Sequence, residues 1–562
     1  MNNEVLILTG SFLLDKQSTV KSLLLKQISQ FRNAEHLWLE IKIKLIFAEN
    51  LILGNLEKKR WVKKNINPRL SNFFSFRLNS DTPDLAEVTL ATLLNKENIK
   101  YRLRSYDDLF ANQALIEKDL AECSTVFVSA TYLKDLSELN PILEKVKRSH
   151  NKVVVGGALT GALHHNYQGS PSIDVLAIGT GEYLVPAMAG WIRGDLSEPE
   201  VPVFGKKEMR GSTLFLFSGA DKELSLDNLE SPNWRLSEID HNKKYRMVFY
   251  ESVRGCPYRC AFCNYPFLFD DNKFRTKSAQ KMISDWREYQ NIGVEYVTCL
   301  DSLFTMPKSR LVEFAEGLIR ENIKLKWICY ARTDDLCDEE VVKLLVKSGC
   351  IQVQIGIESG NAQVLNNMNK RTDPETNEKA LLNCKKHNLT TLITLISGFP
   401  GETKETIDET INFFKRAPAD FFFICVFSAR VSNVPILSAQ NRKKFDIQLL
   451  DNDFSLSPYW SHSTMNCQEA TVHARRMTQE LINQKLCVDA SMFYSEILDF
   501  HHADREALLE LQKEALKNGK FISMMFTGIF KVLDFFLRRD LNKSLPRSLS
   551  QNYSQKGATG PL

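Results

Sequence analysis

From residue 247 to residue 427 short apolar runs alternate with helix-length amphipathic stretches, and this regularity narrows the possible folds more than any other feature of the chain. Strands are expected at about 247–253, 294–299, 325–330, 352–357, 391–396 and 420–427, with helices at 279–291, 307–321, 338–348, 361–388 (with a break) and 403–417. Strands separated by amphipathic helices imply a parallel sheet with crossover connections. Six such units fit a partial (β/α)6 barrel, whose chemistry belongs at the carboxyl ends of its strands. A second alternation occupies residues 70–195, with strands expected at Phe73–Leu78, Ile99–Arg104, Thr125–Ser129, Val153–Val155 and Val175–Ile178. Glycines follow two of these, in Gly156-Gly157 and Gly179-Thr180-Gly181-Glu182, at the edge where doubly wound sheets bind ligands. The expected fold class is therefore α/β: a doubly wound, Rossmann-like N-terminal domain, a partial barrel and a mainly helical C-terminal region.

The remaining boundaries follow from texture. Residues 1–67 read as a helical N-terminal extension and 68–195 as the doubly wound domain; 196–245 read as a connector broken by Pro199, Pro202, Gly205, Gly211 and Pro232. The barrel spans 246–435, a helical domain 436–543, and a disordered tail 544–562. With Lys plus Arg at 72 and Asp plus Glu at 68, the net charge of +4 offers no electrostatic case for a nucleic-acid partner. The N-terminus has no basic n-region or cleavage pattern. The longest apolar run, Phe421–Phe427, is seven residues, far short of the ~20 that span a bilayer. A cytoplasmic protein without a membrane partner is expected.

Three of the twelve cysteines crowd into eight residues, Cys256-Pro-Tyr-Arg-Cys260-Ala-Phe-Cys263, directly after the first barrel strand. In a cytosolic chain such crowding suggests metal rather than disulfides. Three thiolates on a 4Fe-4S cube leave one iron open to bind a small molecule. Zinc and unliganded core cysteines are the competing readings, but structural zinc takes four ligands and no fourth Cys or His is adjacent.

The CxxxCxxC loop, with an aromatic before its last cysteine, resembles the radical S-adenosylmethionine (SAM) superfamily. An ordered series extends the resemblance over residues 70–430: Phe274-Arg-Thr-Lys-Ser278, Leu300-Asp-Ser-Leu-Phe304, Trp327 with Arg332, Gly356-Ile-Glu-Ser-Gly360 and Gly398-Phe-Pro-Gly-Glu402. These look like the branch whose N-terminal domain is of the cobalamin-binding type. The resemblance implies that Cys256, Cys260 and Cys263 hold a 4Fe-4S cluster whose open iron is chelated by SAM. It further implies Phe262 against the adenine, Asp301 and Ser302 at the SAM amino group, and Arg332 at its carboxylate, against a structural ion pair. Glu358 and Ser359 are implied at the ribose, and Gly398, Phe399 and Pro400 along the adenine, against a simple turn.

A histidine-ligated cobalamin domain carries D-x-H-x-x-G after its first strand. The loop taken as equivalent, Asn79–Pro83, has no histidine, and His164-His165 are at the wrong offset from Gly169. Cobalamin is possible but not favoured. Beyond the barrel, Cys467 is surrounded by Ser461, His462, Ser463, Thr464 and Asn466, poor company for a core position. A thiol so placed can return hydrogen to a carbon radical, and the arrangement resembles the radical SAM peptide epimerases of proteusin biosynthesis. That resemblance implies L-to-D conversion in a precursor peptide with a leader, Cys467 as hydrogen donor, and an electron donor such as flavodoxin or ferredoxin. The alternatives are a cobalamin-dependent methyltransferase and a non-catalytic metal scaffold. Cys299, Cys329, Cys350 and Cys425 are expected to be packing residues. The Phe-rich stretch 521–536 reads as a core helix rather than a leader-binding face.

Overall fold

The computed structural model describes residues 2–10, 82–133, 136–221, 224–236, 245–267, 273–428, 434–449, 460–490, 502–518, 528, 529 and 532. The chain divides into two compact units, residues 1–11 with 79–506, and residues 12–78 with 507–562. The architecture below is that of the first. The strand expected at Phe73–Leu78, the tail from 544 and most of the Phe-rich stretch lie outside the described residues.

The N-terminal sheet begins at the chain's start, with β1 (Asn2–Thr9). Its other strands are β2 (Tyr101–Ser105), β3 (Cys123–Ser129), β4 (Lys152–Gly156), β5 (Val175–Ile178), β6 (Lys206–Arg210) and β7 (Thr213–Phe217). They are ordered β2-β1-β3-β4-β5-β7-β6, parallel except for the β6–β7 hairpin. The first five give the 2-1-3-4-5 order of one common doubly wound fold. Val5 to Leu8 of β1, an interior strand of this sheet, are fully buried.

Two expectations are corrected here. The N-terminal extension is not wholly helical, because Asn2–Thr9 forms a central strand; and the connector 196–245 contains β6 and β7, which complete the sheet. Both strands escape a reading of local alternation. The partners of β1 come some 95 to 120 residues later, at Tyr101 and Cys123, and four of the five residues of β6 are charged because it lies at the sheet edge. The connection after β1 therefore runs from Gly10 to Asp84. Its one histidine, His36, follows Ala34-Glu35, so no D-x-H-x-x-G occurs there either.

The second sheet contains β8 (Met247–Tyr250), β11 (Tyr296–Cys299), β12 (Lys326–Ala331), β13 (Cys350–Glu358), β14 (Thr390–Ser397), β15 (Phe421–Val426) and β18 (Val488–Asp489). All pair in parallel, in the order β18-β15-β14-β13-β12-β11-β8. Six strands agree with those read from the alternation, and β18 adds a short seventh beyond the expected barrel boundary. Between β8 and β11 lies a two-stranded ladder of β9 (Val253–Arg254) and β10 (Arg275–Thr276). Helices begin where side-chain caps satisfy their first N–H groups: Ser278 before Ala279–Asn291, Asp373 before Pro374–Lys386 and Thr403 before Lys404–Arg416. Trp286, Phe314 and Trp327 meet edge to face at 4.8–6.1 Å and pin helices Ala279–Asn291 and Lys308–Arg320 to β12. The C-terminal region begins with helix Ala439–Phe445 and the pair β16 (Gln448–Leu449) and β17 (Trp460–Ser461). Helices Cys467–Asn483 and His502–Asn518 follow.

Parity along the strands separates the barrel's two faces. Ser397 donates to the Ala470 carbonyl of helix Cys467–Asn483 at 2.9 Å, so odd-numbered β14 residues face the helices. Thr394 faces the interior, where its hydroxyl meets Glu358 at 3.3 Å. Ile396 shares that side, and Cys425 pairs with Ile396 in register, so Cys425 also points inward.

Candidate functional site

The cysteine loop leaves β9 through Gly255, whose φ of +77° suits glycine. It is tied to its surroundings through its backbone. Ala261 N–H donates to the Met368 carbonyl at 2.7 Å, the Ala261 carbonyl accepts from Ile436 N–H at 3.0 Å, and Asn369 Nδ2 donates to the Arg259 carbonyl at 2.8 Å. Cys256, Cys260 and Cys263 are partly exposed and form no disulfide. Burial pushes the Cys256 thiol up and the Cys263 thiol up to about 12, while Arg332 and Arg259 pull on Cys256 and Lys370 pulls on Cys263 in the opposite direction. Such thiols remain protonated until a metal displaces the proton.

Among the described residues no three His, Cys, Asp or Glu side chains already form a metal-binding group. The fit to a cluster therefore rests on the donor set: three thiols on one braced loop, close enough that Cys260 raises the pKa of Cys256 and both raise that of Cys263.

The residues expected around SAM fall into two kinds. Asp301 and Ser302 brace the loop. Asp301 is fully buried and accepts from Ser252 N–H at 2.6 Å, Val253 N–H at 2.7 Å and the Ser252 hydroxyl at 2.7 Å. Burial raises its carboxyl to about 6 against the pull of Ser252 and Arg310. Ser302 Oγ donates to the Gly255 carbonyl at 2.7 Å. Arg332 stacks its guanidinium 3.9 Å from the Tyr258 ring centroid, pairs with Asp334 at 3.0 Å and donates to the Lys370 carbonyl at 2.8 Å. These contacts engage its guanidinium with groups of the protein itself. Ser359 is fully buried and accepts from Asn361 N–H at 3.2 Å, while its neighbour Gly360 N–H donates to Thr410 Oγ1 at 3.0 Å. It closes a turn against helix Lys404–Arg416.

Glu358, Phe262 and the Gly398 turn surround the loop's inner side. Glu358 has a φ of +63° and accepts from Lys370 Nζ at 2.9 Å in a buried ion pair. Lys370 lies 5.7 Å from the Phe262 ring centroid, and Phe262 meets Phe399 edge to face at 6.3 Å. Gly398 has a φ of +87°, and an added Cβ would lie 2.4 Å from the Ala470 Cβ and 2.6 Å from Trp460. The Pro400 carbonyl accepts from Asn367 Nδ2 at 3.4 Å. Glu402 accepts from Gly398 N–H at 2.5 Å, and burial holds its carboxyl at about 8.

Spacing gave no sign of Lys370, Glu402 or the His462 contact. His462 Nε2 bonds the Gly398 carbonyl at 3.1 Å, while its Nδ1 accepts from the backbone N–H groups of Thr464 and Met465, both at 3.3 Å. That pattern selects the Nε2–H tautomer. The ring stacks on Trp460 at 5.1 Å, so the segment rich in Ser and Thr clamps the Gly398 turn. Cys467 itself is buried at 3% exposure, at the start of helix Cys467–Asn483. Cys425, expected to be packing, is the exposed thiol. Cys299, Cys329 and Cys350 are buried as expected.

The carboxyl edge of the first sheet faces the mouth of the barrel. The carbonyl of Asp221, beyond β7, accepts from Arg275 Nη2 of β10 at 2.8 Å. Glu182, in the glycine turn after β5, pairs with Arg254 at 2.7 Å. Gly181 in that turn has open space around its Cβ position. His164 and His165 stand beyond helix Ala158–Leu163, with His164 Nδ1 on the Gly161 carbonyl at 2.9 Å.

Residues 250–414 match the family model of the radical SAM superfamily. Sheet and cysteine loop accord with that match, so residues 250–414 form a radical SAM domain, and the donor set described suits a 4Fe-4S cluster with SAM. More particularly, the chain is similar to an uncharacterized methyltransferase of Pyrococcus horikoshii, 28% identical over 200 residues that cover 35% of this chain and 43% of that relative. It thus spans less than half of that relative's length. Its fold is similar to that of the radical SAM methyltransferase TsrM from Kitasatospora setae, solved with cobalamin and a 4Fe-4S cluster. That likeness has a TM-score of 0.55 and 17% identity, covering 67% of this chain and 79% of TsrM. It is likewise similar to the cobalamin-dependent SAM radical enzyme OxsB, solved with aqua-cobalamin and SAM, with a TM-score of 0.54 and 15% identity over 85% of this chain and 81% of OxsB. No helix among the described residues is long and apolar enough to cross a membrane.

Proposed function

We propose that this chain is a cobalamin-dependent radical SAM methyltransferase. The observation that carries the reading is the apposition of the two carboxyl edges, seen in Glu182 against Arg254 at 2.7 Å and in the Asp221 carbonyl against Arg275 at 2.8 Å. A ligand lying on the first sheet's carboxyl edge is thereby presented to the barrel mouth, and no atom lies within 4 Å of a Cβ placed on Gly181 in the turn below it. When bound, a cluster with SAM supplies a 5′-deoxyadenosyl radical and a corrinoid supplies a methyl carrier.

The chain's own residues orient these groups. Cys256, Cys260 and Cys263 hold the cluster, with Asp301 and Ser302 fixing the two ends of their loop's entry. Phe262, Phe399 and the Gly398–Pro400 backbone form the adenine wall. Lys370 brings a buried positive charge beside Cys263, and Glu358 is its counter-ion. Arg332 positions Tyr258 rather than reaching the SAM carboxylate.

Peptide epimerisation with Cys467 as hydrogen donor is less well supported. Its thiol is buried at the head of a helix, whereas a donor must meet a substrate radical. The precursor peptide, its leader and a flavodoxin- or ferredoxin-type reductant belong to that reading as proposals. The deciding experiment is anaerobic reconstitution with iron, sulfide and hydroxocobalamin, followed by desalting and metal analysis. Four irons and one cobalt per chain are expected. Four irons without cobalt would overturn methyl transfer and favour epimerisation, which heavy water tests by deuterium incorporation at a peptide Cα.

A further inference from the structure

Arg254 is the last residue of β9, immediately before Gly255 and Cys256. Its guanidinium is engaged at every nitrogen. Nη2 and Nη1 donate to the two carboxylate oxygens of Glu182 at 2.7 and 3.2 Å, and Nε donates to Glu251 Oε2 at 2.9 Å. Glu251 belongs to the same strand-to-loop segment as Arg254. Glu182 belongs to the other sheet, in the first turn of helix Gly181–Arg193.

The pair is built for orientation. A guanidinium that meets a carboxylate through two bonds fixes angle as well as distance, which an ammonium does not. Only 8% of the Glu182 side chain and 20% of that of Arg254 are exposed, so water competes weakly. Burial pushes the Glu182 carboxyl up, but the adjacent guanidinium outweighs it and holds the acid below its ordinary range. The turn carrying Glu182 is also anchored, since Thr180 N–H donates to Ser218 Oγ at 2.9 Å. A displacement of that turn is therefore passed to Arg254, two residues before Cys256, rather than absorbed locally.

We infer that Glu182 is a positioning residue for the cysteine loop, acting through Arg254, so that the glycine turn of the first domain and the cluster end of the barrel move as one body. The inference rests on the proposed function in taking the loop as cluster-binding and the turn as facing a corrinoid. By linkage, a ligand at the turn that changes SAM affinity must have its own affinity changed by the same factor.

The test compares the full-length chain with Glu182→Gln, Glu182→Asp, Arg254→Lys and Glu251→Gln. One readout needs no cofactor, namely hydrogen exchange of the Val253–Cys263 amides in the protein as purified. Glu182→Gln and Arg254→Lys are expected to exchange about tenfold faster there, with helix Pro374–Lys386 unchanged, whereas Glu182→Asp stays within about threefold of the parent. The second readout is the electron paramagnetic resonance signal of the reduced cluster with and without SAM. At equal iron content, Glu182→Gln should shift the SAM-bound signal and weaken SAM binding about tenfold, and Glu182→Asp should restore both.

Parent-like exchange and spectra in Glu182→Gln would overturn the inference, as would an effect found only in Glu251→Gln. If Glu182→Gln fails to fold, Glu182→Asp against Arg254→Lys decides, and faster exchange in the former than in the latter counts against the link. A parent that binds neither iron nor SAM refutes the proposed function instead, and the exchange comparison still judges the Glu182–Arg254 link.

Discussion

Asp301 accepts both the backbone N–H of Ser252, at 2.6 Å, and its hydroxyl, at 2.7 Å, across from the next strand of the barrel. With the Val253 N–H at 2.7 Å, this carboxylate collects three donors just before the cysteine loop. Asp301→Asn keeps the shape but removes the charge and turns the oxygen that accepts from the Ser252 hydroxyl into a donor. Hydrogen bonds to a charged group are worth about 1.5–3 kcal/mol each. Asp301→Asn is expected to retain less than about a third of the parent's iron after reconstitution and desalting, measured by metal analysis. Full iron retention would remove Asp301 from the support of the loop.

Breaking the Glu358–Lys370 pair leaves a buried charge unpaired, which costs about 3–5 kcal/mol. Lys370→Met and Glu358→Gln should each lower the melting temperature by several degrees. The double variant should recover most of that loss, because neither charge then remains. A double variant as unstable as the sum of the two single ones would mean that the side chains do not depend on each other. Lys370→Met should also lower the cluster's reduction potential, since a positive charge beside Cys263 is lost.

Gly398→Ala places a Cβ 2.4 Å from Ala470 and 2.6 Å from Trp460 at a φ of +87°. Left-handed backbone costs roughly 1–2 kcal/mol for a residue with a Cβ, and overpacking adds about 1–3 kcal/mol. A loss of ~2–5 kcal/mol in chemical denaturation is expected. Unchanged stability would indicate that the clamp on this turn is loose.

Glu402 holds its proton until about pH 8 in the folded chain, whereas an unfolded glutamate releases it near 4.3. Its folded pKa is raised, so its contribution is complete below the unfolded value and is lost as pH rises through the folded one. Stability should fall between about pH 4.5 and pH 8. Asp301, raised to about 6, acts in the same direction over a lower window. Glu402→Gln mimics the protonated acid, so melting temperatures measured from pH 6 to pH 8 should decline less steeply than in the parent. An identical slope would show that Glu402 is ionised in the fold.

Cys425 and Cys467 exchange the roles their neighbours in sequence suggest. Cys425 lies within an apolar run yet is exposed, and Cys467 lies among hydroxyls yet is buried. In the folded chain a maleimide should label Cys425 and spare Cys467. Although accessible, Cys425 points into the barrel interior, where desolvation by the surrounding wall and Glu358 push its thiol up to about 12, so labelling should quicken about tenfold per pH unit up to pH 9. Labelling of Cys467 before Cys425, followed by mass spectrometry, would reverse the assignment.

Much of the barrel was legible because its order is local. The period of apolar residues located six strands, and the caps Ser278, Asp373 and Thr403 mark helix starts that can be read within four residues of chain. The loop of Cys256, Cys260 and Cys263 is equally local, so its donor set follows from spacing alone. Tertiary structure decided what depends on distant segments. Strand β1 finds its partners about 95 residues later, Arg254 finds Glu182 across two sheets, and Lys370 finds Glu358 by closing a turn. The same holds for chemistry: Asp301 was expected to face a ligand and instead holds a backbone, because the direction of a side chain is set by the packed sheet around it. Residue types and their period thus determined the architecture and the thiol set proposed to hold a metal, whereas burial and partnership, which settle each residue's surroundings, arise only when remote strands are brought together.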